Sequence, residues 1–249
     1  MCLIVVGWQA HPDYPLVVAA NRDEFYARPS ADAAPWPGAP EVFGGIDQEA
    51  GGTWLGIRRD GRFAAVTNVR EPEMVKGERS RGMLTRDFLL GDRAALEYAQ
   101  ALDRRRYAGF NLLLFDGAEL VYGSNRDGSP RPLAPGVYGL SNHLLDSPWP
   151  KLLTARQRFA KALAALPDDD ALFSLLADDE IAPDAELPRT GVPLEWERLL
   201  SAVFVKSESY GTRASTVAWR RRDGEIRLCE RRFGPLGRPL QSSVISTAV

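Results

Sequence analysis

Short apolar runs rich in β-branched and aromatic residues dominate the first third of the chain. Runs of this length and composition are typical of strands that are buried in a sheet. They predict four strands, Leu3 to Trp8, Leu16 to Ala20, Thr53 to Arg58 and Phe63 to Val69.

Three Asp-Gly pairs separate apolar runs at the spacing of two-residue hairpin turns, in which glycine supplies the required positive φ. They are Asp60-Gly61, Asp116-Gly117 between Phe110–Phe115 and Leu120–Tyr122, and Asp223-Gly224 between Ala214–Arg222 and Ile226–Glu230. Hairpins join antiparallel strands, so the sheets are predicted to be antiparallel rather than built from βαβ units.

A first segment with helical spacing of its apolar residues runs from Ser80 to Arg106. It predicts two helices that are separated near Gly91, with Asp92 capping the second.

A second helical segment opens at Ser147-Pro148, where a capping residue precedes a proline at the first helical position. Pro167 is predicted to end this helix, and Asp168 to cap a short one that extends through Leu176. The segment Leu194 to Leu200 predicts one or two further helical turns.

Hairpins with two helical blocks inserted between them predict an α+β fold of two sheets flanked by helices. We expect a single domain over residues 1–249. The segment from Ala27 to Pro40, which is rich in alanine and proline, is predicted to be a surface loop.

Composition limits the kinds of partner. Lys+Arg 31 against Asp+Glu 33 gives a net charge of −2, so no global field attracts nucleic acid or an anionic membrane. No basic region precedes the N-terminal apolar run, which is too short to span a bilayer. We therefore expect a cytoplasmic protein without stable membrane insertion.

Cysteine and histidine are scarce. The chain has two cysteines, Cys2 and Cys229, and two histidines, His11 and His143. This number argues against a disulfide framework, a zinc site and a histidine-dependent triad. We expect no bound metal.

Cys2 is the leading candidate for chemistry. If Met1 is removed, Cys2 carries a thiol and a free α-amine, and the amine can accept the thiol proton near neutral pH. One residue then combines a nucleophile with its base. The alternative is a small apolar residue at the start of a buried strand.

A polar run, Asn21-Arg22-Asp23-Glu24, follows the second predicted strand. A return strand of this length brings Asn21 and Asp23 back toward Cys2, where a carboxylate would hold the α-amine. The alternative is an ordinary polar turn after a strand.

Three further polar clusters end apolar strands. They are Val66-Thr67-Asn68, Leu140-Ser141-Asn142 and Tyr210-Gly211-Thr212-Arg213. An asparagine amide is a neutral donor that suits a transient oxyanion.

These motifs together resemble the NRDE family, also called the Transport and Golgi organisation 2 family, over nearly the whole chain. The resemblance rests on an ordered series of motifs: Met1-Cys2, Asn21-Arg22-Asp23-Glu24, Gly51-Gly52-Thr53-Trp54-Leu55-Gly56, Thr67-Asn68 with Arg70, Ser80-Arg81-Gly82, Gly109-Phe110-Asn111-Leu112-Leu113, Gly139-Leu140-Ser141-Asn142, Pro148-Trp149 and Tyr210-Gly211-Thr212-Arg213.

That family in turn resembles the N-terminal nucleophile (Ntn) hydrolases, which have a four-layer αββα sandwich. It is most similar to their cysteine branch of bile salt hydrolases, penicillin V acylases and acid ceramidase-like amidases. The resemblance implies that Asp23 contacts the α-amine, Asn142 donates to the oxyanion and Arg213 supports the nucleophile.

One position departs from that pattern. The hydrolases usually have an arginine three residues before the Asp, and here that position is Ala20. Arg22 is nearby, but in an extended strand it points to the face opposite that of Asp23. The role of that arginine would then pass to Arg213 or Arg70.

Two functions are therefore predicted. The first is a cysteine amidase, thioesterase or acyltransferase for an amphipathic acyl substrate, with no required cofactor. Its catalytic residues would be Cys2, Asp23, Asn142 and Arg213, and its substrate-binding residues Asn21, Arg22, Asn68, Arg70 and Trp54.

The second is a protein that binds and transports haem or an acyl-CoA lipid in the same pocket without chemistry. Arg22, Arg70 or Arg213 would pair with propionates or phosphates. Aromatic residues would line the pocket, namely Trp8, Trp54 and Trp149. An axial haem ligand would come from Cys2, His11, His143 or a methionine.

Overall fold

The computed structural model describes residues 2–72 and 76–247. Thirteen strands and five α-helices occur in this part of the chain. In order they are β1 (Cys2–Trp8), β2 (Leu16–Phe25), β3 (Ala34–Trp36), β4 (Ala39–Gly44), β5 (Leu55–Arg58), β6 (Phe63–Asn68), α1 (Gly82–Leu90), α2 (Ala95–Ala101), β7 (Phe110–Phe115), β8 (Leu120–Ser124), β9 (Arg131–Pro132), β10 (Gly136–Leu140), α3 (Pro150–Ala162), α4 (Asp170–Leu176), α5 (Leu194–Leu199), β11 (Tyr210–Arg220), β12 (Ile226–Phe233) and β13 (Pro239–Thr247).

The strands form two antiparallel sheets. The first has six strands in the order β10-β1-β2-β11-β12-β13, and the second has seven, from β3 to β9 in chain order. All three Asp-Gly pairs lie at hairpin turns, and Gly61, Gly117 and Gly224 have positive φ.

Alternate residues of β1 pack on opposite sides of the first sheet, which explains its unbroken apolar run. Ile4 and Val6 face the second sheet in a core that also contains Phe63 and Phe115. Leu3 and Val5 face α3 and α4.

The second sheet is also covered on both faces. Its outer face packs on α1 and α2 through residues such as Val66, Leu84 and Phe88. The order of layers is therefore helix, sheet, sheet, helix, and the predicted α+β sandwich with antiparallel sheets is confirmed.

The predicted cap of α2 is wrong. Helix α2 begins at Ala95, whose N–H donates to Asp116 Oδ2 at 2.8 Å. Asp92 instead pairs with Arg58 at 3.0 Å. An acceptor from the distant hairpin turn thus replaces the local one.

The start of α3 also differs from the prediction. The helix begins at Pro150, because Trp149 is extended and the second proline takes the first helical position. Its α-helical part ends at Ala162, and a 3₁₀ turn, Leu163–Ala165, precedes Pro167.

Two further segments compare with the predictions as follows. The N-cap residue of α4 is Asp169 and not the predicted Asp168, but Asp168 accepts a 2.9 Å hydrogen bond from the N–H of Asp170, the first residue of α4. The predicted loop from Ala27 to Pro40 is wrong in part, since it contains β3 and the start of β4.

No helix in the described ranges is both long enough and apolar enough to cross a membrane.

Candidate active site

Cross-strand register places the Cys2 thiol in a cavity between the sheets. Residues directly opposite each other in antiparallel strands share a face. Cys2 lies opposite Arg22, Arg22 opposite Ala214, and Ala214 opposite Arg232. This row of four residues continues the face of Ile4, and all four line a cavity of about 810 Å³.

Asp23 projects from the other face of β2, so it and Arg22 diverge as the sequence predicts. It is 1% exposed. Thr212 Oγ donates to Asp23 Oδ1 at 2.7 Å, and the Tyr210 hydroxyl donates to the Asp23 carbonyl at 3.2 Å. At the open end of the β1–β2 pair, Asp23 also reaches the cavity.

A β-bulge makes this arrangement possible. The ladder between β2 and β11 pairs Asp23 with Thr212 and Arg22 with Ala214, which leaves Arg213 as the extra residue. The Arg213 guanidinium donates to the carbonyls of Phe25 and Arg28 at the cavity wall. Burial, followed by the charge of Arg22, lowers the pKa of Arg213.

The backbone of Cys2 is tied to the second sheet through one serine. Ser141 Oγ donates to the Cys2 carbonyl at 3.0 Å, and Thr67 Oγ donates to the Ser141 carbonyl at 2.6 Å. The end of β6, with Asn68, is thereby held at the cavity beside β1.

The two predicted asparagines differ in access. Asn68 lines the cavity. Asn142 is fully buried and outside the lining, and its amide donates to the Asn68 carbonyl at 3.0 Å. Direct contact with a ligand is therefore favoured for Asn68, with Asn142 behind it.

Asn21 lies outside the lining of the cavity. Its side chain donates to the carbonyls of Leu176 and Val203, both at 2.8 Å, and accepts from Ser215 at 2.7 Å. These bonds join β2 to the helical layer, so the geometry gives Asn21 a packing role instead of the predicted ligand contact.

The tryptophans that were predicted to line the cavity also differ in their access to it. Trp54 lines the cavity and is partly buried against the core between the sheets. Trp8 belongs to that core, and Trp149 lies beneath Arg70, its ring centroid 4.7 Å from the guanidinium carbon.

Arg70 and Glu197 form a buried ion pair that the sequence analysis did not predict. Arg70 Nη1 and Glu197 Oε2 are 2.6 Å apart, and the side chains are 1% and 5% exposed. The N–H and hydroxyl of Thr190 both donate to the other Glu197 oxygen. Arg70 lines the cavity, and Glu197 lies outside that lining.

Lys151 is a second buried charge that was missed. Its ammonium donates to the Leu200 carbonyl at 2.8 Å. Burial lowers its pKa to about 8, against the opposing effect of Asp23. The signal in the sequence is its place on the buried stripe of α3 with Ala155, Phe159 and Ala162.

Burial has the largest effect on the pKa of the Cys2 thiol. It raises the pKa of Cys2, and the charge of Arg22 opposes that rise while Glu24 adds to it. The thiol is therefore mostly protonated at neutral pH and needs a base to become a nucleophile. Met1, whose removal would supply an α-amine, lies outside the described residues.

In residues 2–72 and 76–247, no group of three or more His, Cys, Asp or Glu side chains is placed so that it could hold a metal ion. Of the predicted axial haem ligands that lie in these ranges, Cys2 alone lines the cavity.

Known proteins resemble this chain in sequence over most of its length. A sequence profile of the Transport and Golgi organisation 2 family matches residues 1–235. The Bos taurus and Homo sapiens Transport and Golgi organization protein 2 homologs are each 39% identical over 257 residues, which covers 93% of this chain and 92% of each relative. The Drosophila melanogaster Transport and Golgi organization protein 2 is 30% identical over 87% of both chains.

Two solved structures resemble it at low identity. A Caenorhabditis elegans N-acylethanolamine-hydrolyzing acid amidase ortholog gives a TM-score of 0.49 at 14% identity, over 87% of this chain and 92% of that one. A mutant conjugated bile acid hydrolase from Clostridium perfringens gives 0.46 at 12% identity, over 98% and 92%.

Proposed function

Because this chain belongs to the Transport and Golgi organisation 2 family, as its ordered motifs indicated, and that family name specifies no reaction, we propose a function from the site itself. The processed protein is a cysteine hydrolase or acyltransferase that acts on an amide or thioester of an amphipathic acyl compound. The placement of the Cys2 thiol in a large cavity, beside Arg22 and next to Asp23, carries this proposal.

The mechanism follows from the positions of these groups. The α-amine of Cys2 takes the thiol proton, and the thiolate attacks the acyl carbon of the substrate. The proton then passes to the leaving nitrogen or sulfur as its bond to the acyl carbon breaks. A water molecule, deprotonated by the same amine, cleaves the acyl-enzyme and restores the thiol. An acceptor alcohol or amine in place of water gives acyl transfer.

Asp23 and Asn68 have supporting roles in this proposal. The Asp23 carboxylate holds the ammonium that forms on the α-amine, since charge pairing is strong in a buried setting. Asn68 donates to the oxyanion of the tetrahedral intermediate, and Asn142 fixes the Asn68 backbone.

Loss of the thiol tests the proposal. Wild-type protein and Cys2→Ala are compared on panels of acyl amides and acyl thioesters, after intact-mass spectrometry has established that Met1 is absent. Cys229→Ala is the control, because Cys229 is also buried but lies outside the cavity. We expect activity in wild type and Cys229→Ala, and a loss of at least about a thousandfold in Cys2→Ala. Equal turnover by Cys2→Ala, or a retained Met1 in active protein, would exclude this mechanism.

A second candidate, non-catalytic binding and transport of haem or an acyl-CoA lipid, is favoured by the cavity itself. Its volume of about 810 Å³ suits a drug-sized ligand, and its lining combines Trp54 and Trp196 with several arginines. Titration with haemin or with palmitoyl-CoA tests it. A Soret band shifted from that of free haemin, or saturable palmitoyl-CoA binding without turnover, supports this candidate, and the absence of both counts against it.

A further inference from the structure

Arg70 has unused hydrogen-bonding capacity in the wall of the cavity. The side chain is 1% exposed, and Nη1 is engaged by Glu197. In residues 2–72 and 76–247, however, no partner reaches its Nε or Nη2. A buried donor without a partner costs stability, so such a group calls for an explanation by function.

The two unused donors form one edge of the guanidinium. The N–H bonds of Nε and Nη2 on that edge run parallel, and this spacing matches the two oxygens of a carboxylate. Stacking on Trp149 and the bond to Glu197 hold the guanidinium plane in place. Arg70 is thus preorganised to receive a planar anion, and lysine cannot reproduce that edge.

The charge balance favours an anion with a single charge. Arg70 is close enough to Glu197, Asp23 and Lys151 for their charges to affect one another's pKa values. In the processed chain the α-amine of Cys2, with an ordinary pKa of about 8, is mostly protonated by solvent at neutral pH before any reaction begins. In that state it adds a third cation to Arg70 and Lys151, against the two carboxylates. One carboxylate from a ligand neutralises the excess, whereas a phosphate dianion would leave a buried net negative charge.

We propose that the Nε/Nη2 edge of Arg70 binds the carboxylate of an anionic ligand in the cavity. Resting on the proposed hydrolase function, this inference narrows the substrate to acyl compounds with a free carboxylate, of which N-acyl amino acids are the simplest amides. The binding site itself does not depend on catalysis.

Binding is tested without turnover in full-length Cys2→Ala. Isothermal titration calorimetry compares N-octanoylglycine with N-octanoylglycinamide, which differ only in the carboxylate. We expect the acid to bind at least about tenfold more tightly, as for a charge-assisted bidentate contact. Equal affinities for the two probes would overturn the proposal.

Variants of the Arg70–Glu197 ion pair test whether the preference for the acid arises from Arg70. Arg70→Gln with Glu197→Gln removes both charges together, which avoids an unpaired buried carboxylate. Arg70→Lys keeps the charge without the parallel edge. Both are expected to lose most of the preference for the acid, and its retention in the double variant would overturn the proposal.

Arg62→Gln is the matched control. Arg62 is 4% exposed and stacks on Phe88 as Arg70 stacks on Trp149, but it lies outside the cavity. It should retain the preference, and an equal loss in Arg62→Gln would assign the effect to general destabilisation. Acetate should displace N-octanoylglycine better than inorganic phosphate does, and the reverse order would overturn the carboxylate assignment.

The two proposals fail in different ways. A preference for the acid in Cys2→Ala, together with wild-type protein that turns over no acyl compound, removes the hydrolase and keeps the carboxylate site. Equal affinities of Cys2→Ala for N-octanoylglycine and N-octanoylglycinamide, together with wild-type turnover of an acyl compound, keep the hydrolase and remove the carboxylate site.

Discussion

The hydroxyl of Thr212 donates a hydrogen bond of 2.7 Å to Asp23 Oδ1, and both side chains are buried. This contact joins β2 and β11 directly before the bulge at Arg213. Burial raises the pKa of Asp23, and Lys151 and Thr212 both oppose that rise. The charge of Asp23 therefore depends on a neighbour that is far away in the sequence.

Thr212→Val is expected to raise the pKa of Asp23 further, because it removes a bond to the charged carboxylate. The acidic limb of the pH–activity profile should move to higher pH, since Asp23 must be ionised to hold the α-ammonium. The unfolding free energy should fall by about 1–2 kcal/mol. Thr216→Val, an equally buried change outside the cavity lining, is the control. An unmoved acidic limb in Thr212→Val would contradict the role given to Asp23.

Arg22 and Glu24 should change the reactivity of the Cys2 thiol in opposite directions. Arg22 lowers the pKa of Cys2 and Glu24 raises it. Arg22→Gln should therefore slow alkylation by iodoacetamide, and Glu24→Gln should accelerate it. Intact-mass spectrometry in a Cys229→Ala background follows the rate at one pH. A change of the same sign in both variants would show that the electrostatic explanation is incorrect.

Lys151 should make stability depend on pH in the alkaline range. Its folded pKa of about 8 lies below the ordinary value of 10.5, so the unfolded chain binds more protons between these pH values. The unfolding free energy of wild type minus that of Lys151→Met should rise from pH 8 to pH 10.5. The expected rise is about 3 kcal/mol.

Urea unfolding at several pH values between 8 and 10.5 measures this difference. Lys161→Met, which replaces an exposed lysine of the same helix, is the control and should give a flat difference. A flat difference for Lys151→Met as well would refute the lowered pKa.

Gly52→Ala should destabilise the protein by about 1–3 kcal/mol. A Cβ atom at Gly52 would overlap the backbone of Gly82, the first residue of α1, which also lines the cavity. Gly128→Ala is the matched control, because a Cβ atom there meets no other atom within 4 Å. Thermal unfolding of both variants checks the prediction, and equal melting temperatures would show that the loop and helix can move apart freely.

Local signals predicted most of the secondary structure. The Asp-Gly turns and the runs at Leu3–Trp8 and Phe110–Phe115 follow from glycine's access to positive φ and from strand propensity, which act within a few residues. The cap of α2 could not be found in this way, because its acceptor, Asp116, lies 21 residues from Ala95. The edge strands β9 and β13 were also missed, since their weak apolar patterns form strands only beside a neighbour.

The candidate site was likewise predicted from the sequence only in part. The sequence by itself determined the family, the layered α+β fold and the candidates Cys2 and Asp23. Ordered motifs and strand periodicity are properties of short stretches of sequence, so they can be recognised without the tertiary structure. Only the tertiary structure decided that Arg22 shares a face with Cys2, that Asn68 rather than Asn142 lines the cavity, and that Arg70 and Lys151 are buried. Register, bulges and desolvation arise when distant strands and helices pack, so a charge acquires its role from neighbours that the sequence does not place beside it.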